Sequence, residues 1–191
     1  YRVYVKHFDR RGLVDPAGRA TPDDWDAWRG GFRVDSQPSS AASVTLQGDY
    51  YRSAAGKRVS HLSLAPATVT PFDAVEPNAG GNVLGRWTRT FSGLSALTLQ
   101  AYYDHVEQGD GFGVEYRDTG DFDFQHRFTW DKRHDIVWGA GYRHSRVRNS
   151  PSFNLTWTPG TSRLRLFNLF VQDDIALSDR LHLTFGSKFE R

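Results

Sequence analysis

The chain has 191 residues, with 24 Lys and Arg against 22 Asp and Glu, and it contains neither Cys nor Met. A net charge of +2 without any basic block disfavours nucleic-acid binding, and the lack of Cys excludes disulfides and thiolate metal sites within these residues. Mean hydropathy is −0.59 and no run of about 18 apolar residues exists, which excludes a bundle of transmembrane helices. The aromatic content of 14% and the 18 Gly favour many strands joined by turns.

Apolar and polar residues alternate in segments bounded by turn residues, and this pattern predicts nine strands. Most of them have about ten residues, the length that crosses a bilayer when a strand is tilted. One side of most strands is apolar and the other is charged; Phe122 and Phe124, for example, alternate with Asp121 and Asp123. The predicted strands are residues 1–10, 29–37, 44–53, 82–91, 96–105, 121–130, 135–146, 164–175 and 181–190.

The connections between these strands are alternately long and short. Up-and-down outer-membrane barrels have this rhythm, with short periplasmic turns and long extracellular loops. The sequence therefore predicts an all-β, antiparallel, up-and-down transmembrane barrel with aromatic girdles near the strand ends. The segment TPDDWDAW at 21–28 is expected to form at most one helical turn within a loop. The connections are residues 11–28, 38–43, 54–81, 92–95, 106–120, 131–134, 147–163 and 176–180.

Three residues fit the alternation badly. His126 falls on the apolar side of its strand near the middle, and Arg89 falls on the apolar side of another strand near its inner end. Phe170 lies on the side otherwise marked by Asn168 and Gln172. These residues weaken the register of single strands but leave the predicted class of fold unchanged.

Nine strands do not complete a barrel of this type, because single-chain bacterial barrels have even strand numbers. An unclosed sheet would leave two unpaired edges and an exposed apolar side. We therefore expect residues 1–191 to be one partial transmembrane β-barrel domain, truncated at both ends.

The segment LFNLFVQDDIALSDRLHLTFGSKFE at 166–190 is the most specific in the chain. An aromatic-rich strand ends in Val-Gln-Asp-Asp, a turn reads Leu-Ser-Asp-Arg-Leu, and Leu-Thr-Phe-Gly and a basic residue follow. This pattern resembles a recurring segment in the barrel of TonB-dependent outer-membrane receptors. YRVYVKHFDRRG at the start and WDAWRGGFRVDSQPSSAASVTLQGDYYR after it are also similar to this family, so the resemblance covers the whole chain. The strand is expected to stop at Asp173 and Asp174, where Arg180 could pair with one carboxylate.

The resemblance implies a 22-stranded barrel with an N-terminal plug, located in the outer membrane of a Gram-negative bacterium. It implies energised uptake of a scarce bulky solute, most often a ferric siderophore, with cobalamin and glycans as open alternatives. The implied partners are outer-membrane lipid, lipopolysaccharide, and the TonB complex acting through the plug and TonB box. This chain shows neither plug nor TonB box. Its first strands resemble those just after the plug, so it is expected to be an early part of the barrel. No nucleic-acid partner and no cofactor are expected.

No catalytic constellation is present in the sequence, and the chain is predicted not to be an enzyme. None of the seven His stands in a known metal-binding spacing. Solute contacts are expected in the long loops, where an aromatic ring beside Arg suits a planar or anionic ligand. The candidate ligand-binding residues are Trp25, Trp28, Arg146, Arg148, Phe153 and Trp157.

Two other functions are compatible with parts of this pattern. A passive porin or channel would have no plug and would carry a constriction loop inside the barrel. A soluble all-β binding domain, such as a lectin, would stay in solution without detergent. The second alternative also has to explain strands of ten residues with a continuous apolar side.

Overall fold

The computed structural model describes residues 1–110, 112–131, 133–151 and 155–191. Across these residues the chain forms nine antiparallel strands in one sheet, and each strand pairs with its neighbours in sequence. The part of the chain that is described contains no helix long and apolar enough to cross a membrane. The predicted all-β, up-and-down architecture is confirmed. The strands are β1 (Arg2–Arg10), β2 (Trp25–Ser39), β3 (Ala42–Leu64), β4 (Ala67–Ser92), β5 (Ser95–Gly109), β6 (Val114–Trp130), β7 (His134–Ser150), β8 (Thr161–Ser178) and β9 (Leu181–Glu190).

The register divides the side chains between two faces. Phe124 of β6, Ala140 of β7 and Leu169 of β8 lie opposite one another in one row. Because successive side chains of a strand point to opposite sides, their neighbours lie on the other side of the sheet. We call the side that carries Leu169 the apolar face. The side that carries Asp123 is the polar face.

The sheet is one layer thick. Val59 is the single buried hydrophobic residue in the described part of the chain. Leu169, Val171 and Phe185 on the apolar face are 43%, 48% and 70% exposed. A continuous exposed surface of this kind is not tolerated in water, whereas lipid covers it without cost to the backbone, whose hydrogen bonds are satisfied between strands.

The two ends of the sheet differ. At one end, short turns at 40–41, 93–94, 131–133 and 179–180 join the strands. At the other end lie the longer connections 11–24, 110–113 and 151–160, and there β3 and β4 are joined by residues 65–66. We call these the turn end and the loop end. In outer-membrane barrels they face the periplasm and the cell exterior.

The predicted loop at 54–81 is wrong. β3 and β4 continue as a paired ladder up to Leu64 and Ala67. The nine residues 56–64 extend this hairpin past the start of β2 by about 30 Å.

Two ion pairs tie the strands of this projecting hairpin together. Arg58 lies 2.7 Å from Asp73, and Lys57 lies 2.8 Å from Glu76. The Arg58 guanidinium lowers the pKa of Asp73, and the Glu76 carboxylate raises the pKa of Lys57. Both pairs are therefore ionised at neutral pH.

Two further expectations are corrected. The predicted loop 11–28 ends earlier than expected, because β2 already begins at Trp25. β8 does not stop at Asp173 and Asp174 but continues to Ser178. Among the described residues, Arg180 pairs with neither carboxylate; the ring nitrogens of His134 and His182 lie 2.6 Å from Asp173 and 3.7 Å from Asp174.

The position of His126 on the apolar face is explained by its neighbours. The indole N–H of Trp138 donates to Nδ1 of His126 over 3.1 Å, and Nε2 lies 3.0 Å from the Ser95 hydroxyl. With Nδ1 accepting, a neutral ring donates from Nε2 to Ser95. Both polar atoms of the ring are thus satisfied without water.

Phe170 and Arg89 also have specific partners. The Phe170 ring covers Gly139 of β7, where a Cβ atom would lie 2.6 Å from the ring. The Arg89 guanidinium lies over the Phe91 ring at 5.4 Å from its centroid, near the turn end. Both side chains are therefore accommodated in the regular pairing of the strands.

Candidate functional site on the polar face

The polar face of β1 and β2 carries a group of positive charges. Arg2, Lys6 and Arg29 line a groove of about 430 Å³ together with Tyr4 and Phe8. We call these five residues the basic patch. It lies on the side of the sheet that faces the lumen in a closed barrel.

Alternation within β1 and its pairing with β2 build this patch. Tyr4 lies between Arg2 and Lys6 on the same face, because every second residue of a strand points the same way. The register places Lys6 opposite Arg29 and Tyr4 opposite Gly31. The Tyr4 ring occupies the space that a side chain at Gly31 would need, since a Cβ atom there would lie 2.8 Å from it.

One carboxylate, Asp49 of β3, faces the basic patch. It accepts a hydrogen bond from the Tyr4 hydroxyl and lies 3.6 Å from the Arg29 guanidinium. Among the described residues, no carboxylate lies within 4.0 Å of the charged groups of Arg2 or Lys6. The patch therefore keeps positive charge that its own side chains do not neutralise.

Such a patch suits an anionic solute. Guanidinium groups donate forked hydrogen bonds to carboxylates and similar anions, and a nearby ring adds a stacking surface. Lys6 Nζ already lies 5.9 Å from the centroid of the Tyr4 ring, so charge and ring are presented together. The chemistry that these residues offer is reversible binding of an anion.

The polar face of β5 and β6 has a different charge. Asp104, Asp121 and Asp123 lie there, and Arg143 of β7 pairs with Asp121 over 2.8 Å. Tyr102 donates to Asp104 over 3.1 Å. The wall is thus basic at β1 and β2, and it carries these three carboxylates at β5 and β6.

The two predicted tryptophans of β2 lie on opposite faces. Trp25 is on the polar face, with its ring centroid 6.3 Å from that of Phe8 at the loop end of the basic patch. Trp28 is on the apolar face and stacks on His7 at 4.2 Å. Only Trp25 therefore adjoins the basic patch, and a role for either in ligand binding stays a prediction.

The other predicted ligand residues do not join the basic patch. Arg146 and Arg148 lie on the apolar face of β7, five strands from β2. Trp157 lies in the connection 151–160, close to Gly113. Phe153 is outside the described residues.

The basic patch was not found from the sequence, although part of its signal is there. Arg2, Tyr4, Lys6 and Phe8 alternate with Val3, Val5 and His7 in YRVYVKHFDR. The contribution of Arg29 depends on the register across the connection 11–24. That register is not readable from alternation, because a loop of this length does not fix it.

A one-layer antiparallel sheet with a lipid-compatible face and a charged face is a segment of an outer-membrane transmembrane β-barrel. Among solved structures, the chain is similar to one described as copper transporter OprC. The TM-score is 0.65 with 14% identical residues, over 98% of this chain and 32% of OprC. This likeness confirms the predicted fold class.

A second similar structure is the toluene transporter TodX of P. putida, with a TM-score of 0.41 and 8% identity, over 99% of this chain and 63% of TodX. The chain thus spans about a third of OprC and under two thirds of TodX. No protein-family model and no curated protein matches the sequence. Among the described residues, no group of three or more His, Cys, Asp or Glu is placed to hold a metal ion.

Proposed function

We propose that this chain is part of the barrel of a TonB-dependent outer-membrane receptor of a Gram-negative bacterium. In this proposal the receptor takes up a scarce bulky solute, a ferric siderophore, with energy delivered through a plug domain and the TonB complex. The observation that carries the proposal is the pairing of an exposed apolar face with a charged lumenal face. The family resemblance of residues 166–190 supports the energised mechanism over a passive one.

The basic patch supports an anionic solute. Many metal chelates carry carboxylate or similar oxygen groups, and Arg2, Lys6 and Arg29 offer donors to them. Tyr4 and Phe8 give an apolar surface beside those donors. A bulky chelate that carries both charge and apolar parts therefore suits this wall better than a small neutral molecule does.

Copper is the solute named for OprC. The residues of this chain do not favour a bare copper ion as the solute. The 191 residues contain no Cys and no Met, so they supply neither thiolate nor thioether ligands. Those soft ligands select copper(I). A metal that is already bound in an organic chelate needs no ligands from the barrel wall.

Uptake by whole cells tests the proposal. Cells that express the full-length protein as their sole receptor are given a panel of radioactive ferric siderophores, before and after deletion of tonB. We expect at least one chelate to accumulate against its gradient and accumulation to stop without TonB. Accumulation that equilibrates and survives the tonB deletion would show a passive channel instead.

The basic patch is tested in the same cells. Loss of two unpaired charges in Arg2→Gln with Lys6→Gln should raise the half-saturating chelate concentration about tenfold. The matched control is Arg133→Gln with Arg180→Gln, which removes the same charge from two turns at the turn end. Equal effects of the two double variants would contradict a role for the patch.

A further inference from the structure

Four arginines form a second basic surface, on the apolar face at the loop end. Arg146 and Arg148 belong to β7, and Arg163 and Arg165 belong to β8. All four share the face of Leu169, because they alternate in step with Tyr142 and Phe167. We call these four residues the arginine cluster. Its surface is separate from the basic patch, which lies on the opposite face.

The register brings like charges together within this cluster. Arg146 lies directly opposite Arg163. Directly opposed like charges on one face destabilise a sheet. An anion that binds between the guanidinium groups relieves this repulsion.

The protein itself supplies little negative charge here. Asp118 of β6 is the carboxylate that faces the cluster, and it is 3.2 Å from Arg148. That carboxylate is already occupied, since Tyr103 donates to it over 2.9 Å and Nδ1 of His105 lies 2.7 Å away. Arg148 also packs against the Tyr116 ring.

Three arginines of the cluster are left without an anion. Within the described part of the chain, Arg146, Arg163 and Arg165 form no ion pair. The Nε atom of Arg146 is buried and has no hydrogen-bond partner there. Arg163 and Arg165 are both exposed.

The height of the cluster identifies its surroundings. Phe122, Tyr142 and Phe167 form a row on the apolar face, and they are 49%, 45% and 40% exposed. Aromatic rows of this kind mark the membrane interface. His144, Arg146 and Arg148 follow Tyr142 toward the loop end, so the guanidinium groups lie at the level of the outer lipid headgroups.

We propose that the arginine cluster binds the phosphate groups of lipopolysaccharide in the outer leaflet. Lipopolysaccharide is the occupant that fits, because it carries phosphates at this depth and packs beside the barrel wall. A transported solute would not reach residues on the apolar face. The cluster thus anchors lipid, and Arg146 and Arg148 serve this surface instead of the predicted solute site.

Binding to lipid A tests this proposal on the full-length protein in detergent. Native mass spectrometry is used to titrate bis-phosphorylated lipid A and the same lipid after removal of its phosphates. We expect the phosphorylated lipid to bind at least about tenfold more tightly to the wild-type protein. Equal binding of the two lipids, or full competition by millimolar inorganic phosphate, would overturn the proposal.

Variants locate the site. Arg146→Gln, Arg163→Gln and Arg165→Gln together should abolish most of the preference for phosphorylated lipid. The matched control is Arg10→Gln, Arg11→Gln and Arg180→Gln, which removes the same charge outside the apolar face. Heat modifiability on gels confirms that each variant is folded. A folded triple variant that keeps the full preference would also overturn the proposal, whatever solute the receptor transports.

Discussion

Replacing Leu169 by Arg is expected to destabilise the folded protein in a bilayer by about 2–4 kcal/mol. Leu169 lies on the apolar face between Ala140 and Phe189 of the neighbouring strands. No carboxylate on that face is opposite it, so the guanidinium would enter lipid without a partner. Urea titration of the protein folded into lipid vesicles measures the loss.

Gln172→Arg is the control for this substitution, in the same strand. Gln172 lies on the polar face, opposite Val137 and Gly186. An Arg there meets water in the lumen, and its effect should stay under about 0.5 kcal/mol. Similar losses for the two variants would mean that the faces are assigned wrongly.

Gly139→Ala is expected to cost about 3 kcal/mol, because it overfills a close contact between strands. A Cβ atom at Gly139 would lie 2.3 Å from the backbone oxygen of Phe124 and 2.6 Å from the Phe170 ring. The ring belongs to a side chain that can rotate, whereas the backbone oxygen of a central strand is held by the sheet. Folding yield into vesicles and the urea midpoint both report the effect.

Gly85→Ala provides the comparison for Gly139→Ala. Gly85 is in the middle of β4, and no atom lies within 4 Å of the position of an added Cβ. Ala should stabilise the strand by up to about 1 kcal/mol, since Gly loses more backbone entropy on folding. A Gly139→Ala variant as stable as Gly85→Ala would contradict the packing of β7 against β6 and β8.

The strand order and the two faces could be predicted from the sequence. The reason is physical: lipid on one side and water on the other impose a strict period of two, as in Leu97, Leu99 and Ala101 against Thr98 and Gln100. The short turns were predicted for the same reason, since alternation stops where the membrane ends.

The projecting hairpin could not be predicted in this way. Beyond the membrane both faces of β3 and β4 are wet, so the apolar alternation is lost at 54–81. Pro71 and Pro77 are also unfavourable in a strand that pairs on both edges. In the structure, β4 pairs with β5 only from Asn78 onward, so both prolines lie where β4 has a free edge and needs no second partner.

The candidate sites could be predicted only in part. Trp25, Arg146 and Arg148 are aromatic and basic residues near loops, and the sequence pattern does not indicate the face on which each lies. Register decides that question: it separates the two arginines from the lumen and brings Arg29 beside Lys6. Cross-strand register depends on loops that alternation does not describe.

The central claim is that the apolar face meets lipid and the polar face meets the lumen. The most direct measurement is spin-label accessibility along residues 167–172 of β8 in the full-length protein in lipid vesicles, with one Cys at a time. The 191 residues contain no Cys of their own to interfere. We predict that labels at 167, 169 and 171 collide mainly with oxygen, and that labels at 168, 170 and 172 collide mainly with a water-soluble nickel chelate. Equal access of the nickel chelate to both sets, or the opposite phase, would contradict the account.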